Sequence, residues 1–213
     1  MRTDELIHML STDLEPVDRR RVSRSLGAAV AVGMAVAVAA ISSGLGVRPD
    51  INQAEPLRCL LLKLLFTGSI VAITFVLLVR LARPGGERRT PFAVACLPLV
   101  ALLLLGTLYL AAAPSSSWDR MIVGHGWLMS LISIPVIAIV PFSLIVWALR
   151  KGAPTDLKRA GALAGLIAGG VGATAYALHC TDDSLPFVAL WYSFTVVLCA
   201  FLGAKLGPRL LRW

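Results

Sequence analysis

The chain has 213 residues, 57% of them apolar and only 15% charged, with a mean hydropathy of +0.80, against roughly 45–50% and 25% in soluble domains. So few charged side chains cannot cover that much apolar surface in water, which excludes an ordinary soluble single domain. A formal charge of +8 points to nucleic acid only when basic residues line one soluble face; here they fall between apolar runs, which argues against direct nucleic-acid contact.

The chain opens with a polar head, residues 1–25. Within it Leu6, Leu10, Leu14 and Val17, with Ile7 alongside, recur at helical spacing, which predicts a short amphipathic helix. Asp4 and Glu5 suit its positive end, and Pro16 ends or kinks it. A helix lying on lipid favours Lys and Arg on its polar face. This one carries Asp4, Glu5, Asp13 and Glu15, so a protein partner fits its apolar stripe better than a membrane surface does.

Six apolar runs follow, near 26–47, 57–82, 92–113, 126–149, 160–180 and 185–204. Each reaches or approaches the about 20 residues needed to cross roughly 30 Å of hydrocarbon. The predicted fold is therefore all-α: an integral membrane bundle of six transmembrane helices over 26–204, with a tail at 205–213. The first run is too long, and lies too far behind the start, for a cleaved signal segment. The first and fifth runs are rich in Gly and Ala, which permits close helix contact. Pro98, Pro135 and Pro141 predict local kinks. Sixteen of the 20 Lys and Arg fall in the head, the tail and every second connection. By the positive-inside rule both termini are then cytoplasmic, which leaves Arg48, Arg58, Lys63 and Arg120 for the other face.

Chemistry-bearing residues gather at that outer face. Cys59 opens the second span, His125 precedes the fourth, and His179, Cys180, Asp182 and Asp183 form the turn before the sixth. Cys59 and Lys63 are four apart and share a helix face, where an ammonium favours a thiolate. Lys63 reads equally as a side chain snorkelling to the interface or as a functional cation, with Asp182 or Asp183 as partner. His179, Cys180, Asp182 and Asp183 are metal-ligand types without a second spaced cluster, so no metal or cofactor is expected, and oxidation of Cys180 is the more natural chemistry on an outward face. Cys96 and Cys199, toward the inner ends of the third and sixth spans, read as packing residues. Phosphate loops, zinc-protease motifs, C-x-x-C pairs and carboxylates within spans are all missing, which argues against an enzyme. A small transporter or a structural membrane subunit are the rival classes.

The order of several segments along the chain resembles the NrsF family of six-span bacterial anti-sigma factors, negative regulators of extracytoplasmic-function sigma factors of the sigma-F type. The resemblance is carried by Arg2-Thr3-Asp4-Glu5-Leu6-Ile7, Pro16-Val17-Asp18-Arg19, Gly46-Val47-Arg48-Pro49-Asp50, Lys63, and Trp127-Leu128-Met129-Ser130 followed by Ser133-Ile134-Pro135. It continues through Leu149 to Pro154, Ala177-Leu178-His179-Cys180 with Asp183-Ser184, Phe187 to Tyr192, and Leu206 to Trp213. It implies a protein of the bacterial inner membrane whose head, through Leu6, Ile7, Leu10, Leu14 and Val17, holds a sigma factor inactive until an envelope, oxidative or metal-stress signal releases it. It also implies thiol sensing, with one cysteine at Cys180 and a second in the fourth span, where this chain has Ser130. A hydroxyl cannot form a disulfide. Cys59 replacing the missing partner, Cys180 acting alone, and a different signal altogether all remain open, as does the oligomeric state.

Overall fold

A computed structural model of the chain describes residues 19–50, 53–82, 91–124, 126–152, 154 and 156–212. The amphipathic stripe of the head, from Leu6 to Val17, and His125 lie outside the described residues. Every regular element among those described is helical: α1 (Arg19–Gly44), α2 (Ala54–Leu81), α3 (Leu97–Ala112), α4 (Trp118–Val123), α5 (Trp127–Leu149), α6 (Leu157–Ala177) and α7 (Ser193–Leu210). A 3-10 stretch, Phe92–Cys96, leads into α3, and a short turn with a π-helical stretch, Val188–Tyr192, runs into α7. Six of these helices are long and apolar enough to cross a membrane.

The boundaries depart from expectation in ways local chemistry explains. The first helix begins at Arg19 rather than Leu26, because Arg is a good helix former and nothing in Arg19–Arg24 breaks the turn. The last continues through Lys205 and Arg209 to Leu210, so most of the expected tail is helix. Pro98 sits in the first turn of α3 rather than interrupting a span; a missing N–H costs nothing there. The connection before the fourth span holds an extra helix, α4.

The Gly- and Ala-rich α6 is the axis of the bundle. Almost every residue from Ala160 to Ala177 is buried, and α7, α2, α5 and α1 all pack against it. Glycine lowers helix propensity in water, but where water is excluded the helix is the way a single segment satisfies its own backbone. The small side chains then let neighbours approach closely. A Cβ on Gly161 would strike the carbonyl of Gly203, and one on Gly165 the carbonyl of Cys199, so α6 and α7 meet backbone to backbone. By contrast α3 buries only Leu99, Leu102 and Gly106 and turns Leu104, Leu105 and Leu108 outward.

At one end of the bundle Arg150 Nε bonds the carbonyl of Leu210 at 2.7 Å. The connections after α1, around α4 and after α6 meet at the other end: Ser184 Oγ donates to the Met121 carbonyl at 2.8 Å, and Trp191 Nε1 to that of Ile122 at 2.8 Å. That end holds the buried charges Arg48 and Lys63 with their acidic partners Asp50 and Asp183.

Candidate functional site

The site begins with the way α1 ends. Gly46 adopts φ +80°, a left-handed conformation that side chains with a Cβ resist, and its N–H closes on the Ile41 carbonyl at 2.9 Å. The chain then turns inward. The Arg48 N–H bonds the Leu178 carbonyl at 3.1 Å, and His179 Nδ1 lies 3.0 Å from the Gly46 carbonyl. Arg48 is thereby delivered into the bundle with 3% of its surface exposed.

Once there, all five guanidinium donors are engaged. Nε and Nη2 reach the two oxygens of Asp50 at 2.7 and 2.9 Å. Nη1 and Nη2 reach the two oxygens of Asp183 at 3.0 and 2.7 Å, and Nη1 also donates to the Cys180 carbonyl at 3.2 Å. Two bidentate carboxylates on one guanidinium use the fork geometry that lysine lacks. Lys63, only 2% exposed, approaches from α2: its Nζ donates to Asp183 Oδ1 at 2.8 Å and to the same Cys180 carbonyl at 3.2 Å. Two cations and two carboxylates thus form a neutral group in which each buried charge has a partner, the condition under which charges tolerate burial.

The titration of these groups follows from the contacts. Burial alone would raise the Asp183 carboxyl, but the hydrogen bonds from Arg48 and Lys63 outweigh it and hold the group below the ordinary carboxylate range. Asp50 is likewise lowered, by its hydrogen bond with Arg48. Arg48 is pushed further up, first by Asp50 and then by Asp183.

Around this group the other sequence-predicted residues separate. Cys180 is 4% exposed, its Sγ 3.8 Å from the Asp182 carbonyl. The Asp182 carboxylate turns away from the cations and accepts the Gly126 N–H at 2.9 Å, at the start of α5. Ser130, fully buried, donates to the Gly126 carbonyl at 3.1 Å. The Tyr176 hydroxyl and the Asp182 carboxylate both face Gly126, whose carbonyl Ser130 holds. Cys59 stands apart on the α2 face toward α3, in a cavity it shares with Lys63 and Asp183. Two of the three Lys63 ammonium donors go to Asp183 and to the Cys180 carbonyl, and no hydrogen bond joins the ammonium to Cys59. All four cysteines are free thiols.

The weak metal candidates do not converge. His179 faces Gly46, Asp182 faces Gly126 and Asp183 is taken by the cations; among the described residues no three His, Cys, Asp or Glu gather as a metal site.

Sequence reasoning missed Arg48 and Asp50 as members of the site, and also Tyr192. The signal for the first two was present: Arg48 is a basic residue on the face the positive-inside rule leaves nearly bare, with an acid two positions on. Tyr192 gave no such signal. It lies in the π-helical stretch, fully buried with its ring 6.2 Å from that of Tyr176, and among the described residues its hydroxyl has no hydrogen-bond partner.

Chemically, the arrangement ties the connection after α1 and the helix α2 to one turn. Both cations donate to the Cys180 carbonyl, so Cys180 cannot shift without disturbing hydrogen bonds to Arg48 after α1 and to Lys63 on α2.

Comparison with known proteins adds the family. No solved structure matches the chain. It is 33% identical over 218 aligned positions, covering 100% of both chains, to "Anti-sigma-F factor NrsF" of Caulobacter vibrioides. It is 29% identical, again over 100% of both, to "Probable anti-sigma-F factor NrsF" of Azospira oryzae. The family model described as "NrsF: Negative regulator of sigma F" matches residues 10–213, and the chain belongs to that family.

Proposed function

We propose that the chain is a membrane-bound anti-sigma factor that sequesters an extracytoplasmic-function sigma factor at the bacterial inner membrane and releases it when an envelope, oxidative or metal stress acts at outer-face thiols. The observation that carries the regulatory reading is the end-to-end likeness to relatives named anti-sigma-F factor. Six helices long and apolar enough to cross a membrane, together with the distribution of Lys and Arg, support a bundle with both termini in the cytoplasm. The partner-binding segment in this reading is the head stripe Leu6, Ile7, Leu10, Leu14 and Val17, laid into a groove of the sigma factor.

Cys180 is the sensing residue in this reading, and the ion group supports it. A thiol converted to sulfenic acid or a mixed disulfide needs room that a residue 4% exposed does not have, so the turn must move. Movement disturbs the Arg48 and Lys63 contacts and with them α1 and α2. A useful switch requires the two states to differ by about 5 kcal/mol in their response to the modification. The replacement of the second family thiol by Ser130 leaves Cys180 to act alone or with Cys59.

The test has two arms. Changing Leu10 and Leu14 together to Glu should release the sigma factor and raise transcription of its targets without stress; continued sequestration by a membrane-inserted double variant would remove the head from the reading. Cys180→Ser should keep sequestration but lose induction by stress, whereas normal induction would remove Cys180.

A further inference from the structure

A cavity of about 210 Å³ lies between α2, α3 and the start of the last span, beside the Cys180 turn, with which it shares Asp183. Leu62, Phe66, Leu102, Leu105 and Val188 wall it, and Cys59, Lys63 and Asp183 also line it, from the charged end of the bundle. Leu62 and Leu105 are 50% and 56% exposed, so the mouth opens on the apolar outer surface of the bundle. Lys63 has three ammonium donors; Asp183 and the Cys180 carbonyl take two. Among the described residues the third has no acceptor, although the side chain is almost wholly enclosed.

We propose that this cavity binds the ring of a membrane-dissolved quinone. Three features select that chemistry. The first is size: an apolar cavity of about 150 Å³ accepts benzene, so this one takes one or two fused rings but not a phospholipid. The second is charge. Asp183 already neutralises the Lys63 ammonium, so an anionic head would meet a carboxylate, whereas a neutral carbonyl oxygen can accept the remaining N–H. The third is the lateral mouth, which lets an apolar tail run out into lipid. Binding is non-covalent and leaves the Cys59 thiol intact. The proposal needs the bundle to lie in a bilayer, but it does not depend on any sigma factor, and its test never reads one.

Cys59 is the built-in reporter. The full chain in nanodiscs is treated with N-ethylmaleimide, and labelling of Cys59 and Cys96 is followed by peptide mass spectrometry. The probe is a dimethylnaphthoquinone with both reactive ring positions substituted, so that it cannot alkylate a thiol. At ten times its dissociation constant it should slow Cys59 labelling about tenfold, as the free fraction falls with 1 + [L]/Kd, and leave Cys96, exposed and outside the cavity lining, unchanged. Leu102→Trp, which fills the cavity, should abolish protection; if that variant unfolds, seen as fast labelling of the buried Cys180, Ala101→Phe takes its place. Dimethylnaphthalene, of the same shape without carbonyls, should protect far less. Absence of protection, equal protection of Cys96, or full protection in the cavity-filled variant would each overturn the proposal, and equal protection by the hydrocarbon would overturn the role of Lys63.

Discussion

Asp183 accepts hydrogen bonds from two cations that are themselves almost fully enclosed, so its loss matters more than that of an ordinary surface acid. Asp183→Asn leaves Lys63 with no carboxylate and Arg48 with one, and uncompensated buried charge costs about 3 kcal/mol. Thermal unfolding in detergent should show a clear drop in Tm; an unchanged Tm would mean the ion group contributes nothing. Arg48→Lys should also destabilise, since an ammonium cannot grip Asp50 and Asp183 together. The pH dependence follows from the direction of the Asp183 shift. Its folded pKa lies below the unfolded value, so its contribution is complete above about pH 5 and is lost only as pH falls through the folded value. Stability should therefore be flat in this term from pH 8 to 5 and fall below about pH 4, and Asp183→Asn should flatten that acid limb. Tyr192 makes the opposite prediction. Among the described residues its buried hydroxyl has no partner, an arrangement that costs about 1–3 kcal/mol, so Tyr192→Phe should raise Tm. A fall would mean that the hydroxyl has a partner.

Between helices, the contact of α6 with α7 depends on having no side chain at the crossing. Gly165→Val would drive a branched side chain into the backbone at Cys199 and Ala200. Overpacking of this kind costs about 1–3 kcal/mol, and more when backbone must move. Expression with lowered Tm, or loss of the folded protein, is expected; wild-type stability would mean the crossing is looser than described. The Gly and Ala content of the fifth span was legible in the sequence as a close-contact face, and that span is the buried axis. The first span, equally rich in small residues, is only partly enclosed: Val32 and Val36 face outward. Composition reports how closely a helix can be approached but not from how many sides. The partner glycines Gly203 and Gly207 lie in a span whose Phe194, Phe201 and Leu206 face outward, so its composition does not single out a close-contact face. α4 was read as connection because its six residues are too short to show a helical period. The ion group is half legible: the sequence offers Lys63 either Asp182 or Asp183 and the structure takes Asp183, but Arg48 joins them through the turn at Gly46, a backbone geometry that periodicity does not encode.

For the whole molecule, the distribution of charge and the ion group bear on the same question of orientation. Sixteen of 20 Lys and Arg fall in the head, the tail and every second connection of the sequence, and of the other four Arg48 and Lys63 are neutralised by Asp50 and Asp183. A neutral cluster costs less to carry across a bilayer than two free cations would, so these two cations do not weaken the expected topology. Alkaline phosphatase, active only outside the cytoplasm, should be active when fused after Asp50 or Thr181 and inactive when fused after Arg150 or Leu210. Activity at Leu210 with silence at Asp50 would invert the bundle. The Cys180 turn would then face the reducing cytoplasm, where thiols stay reduced, and an oxidative signal at Cys180 would lose its physical basis. The fusions thus test the sensing reading as well as the topology, because only one orientation puts the buried thiol, and the two cations that hold its carbonyl, on the side where oxidants arrive.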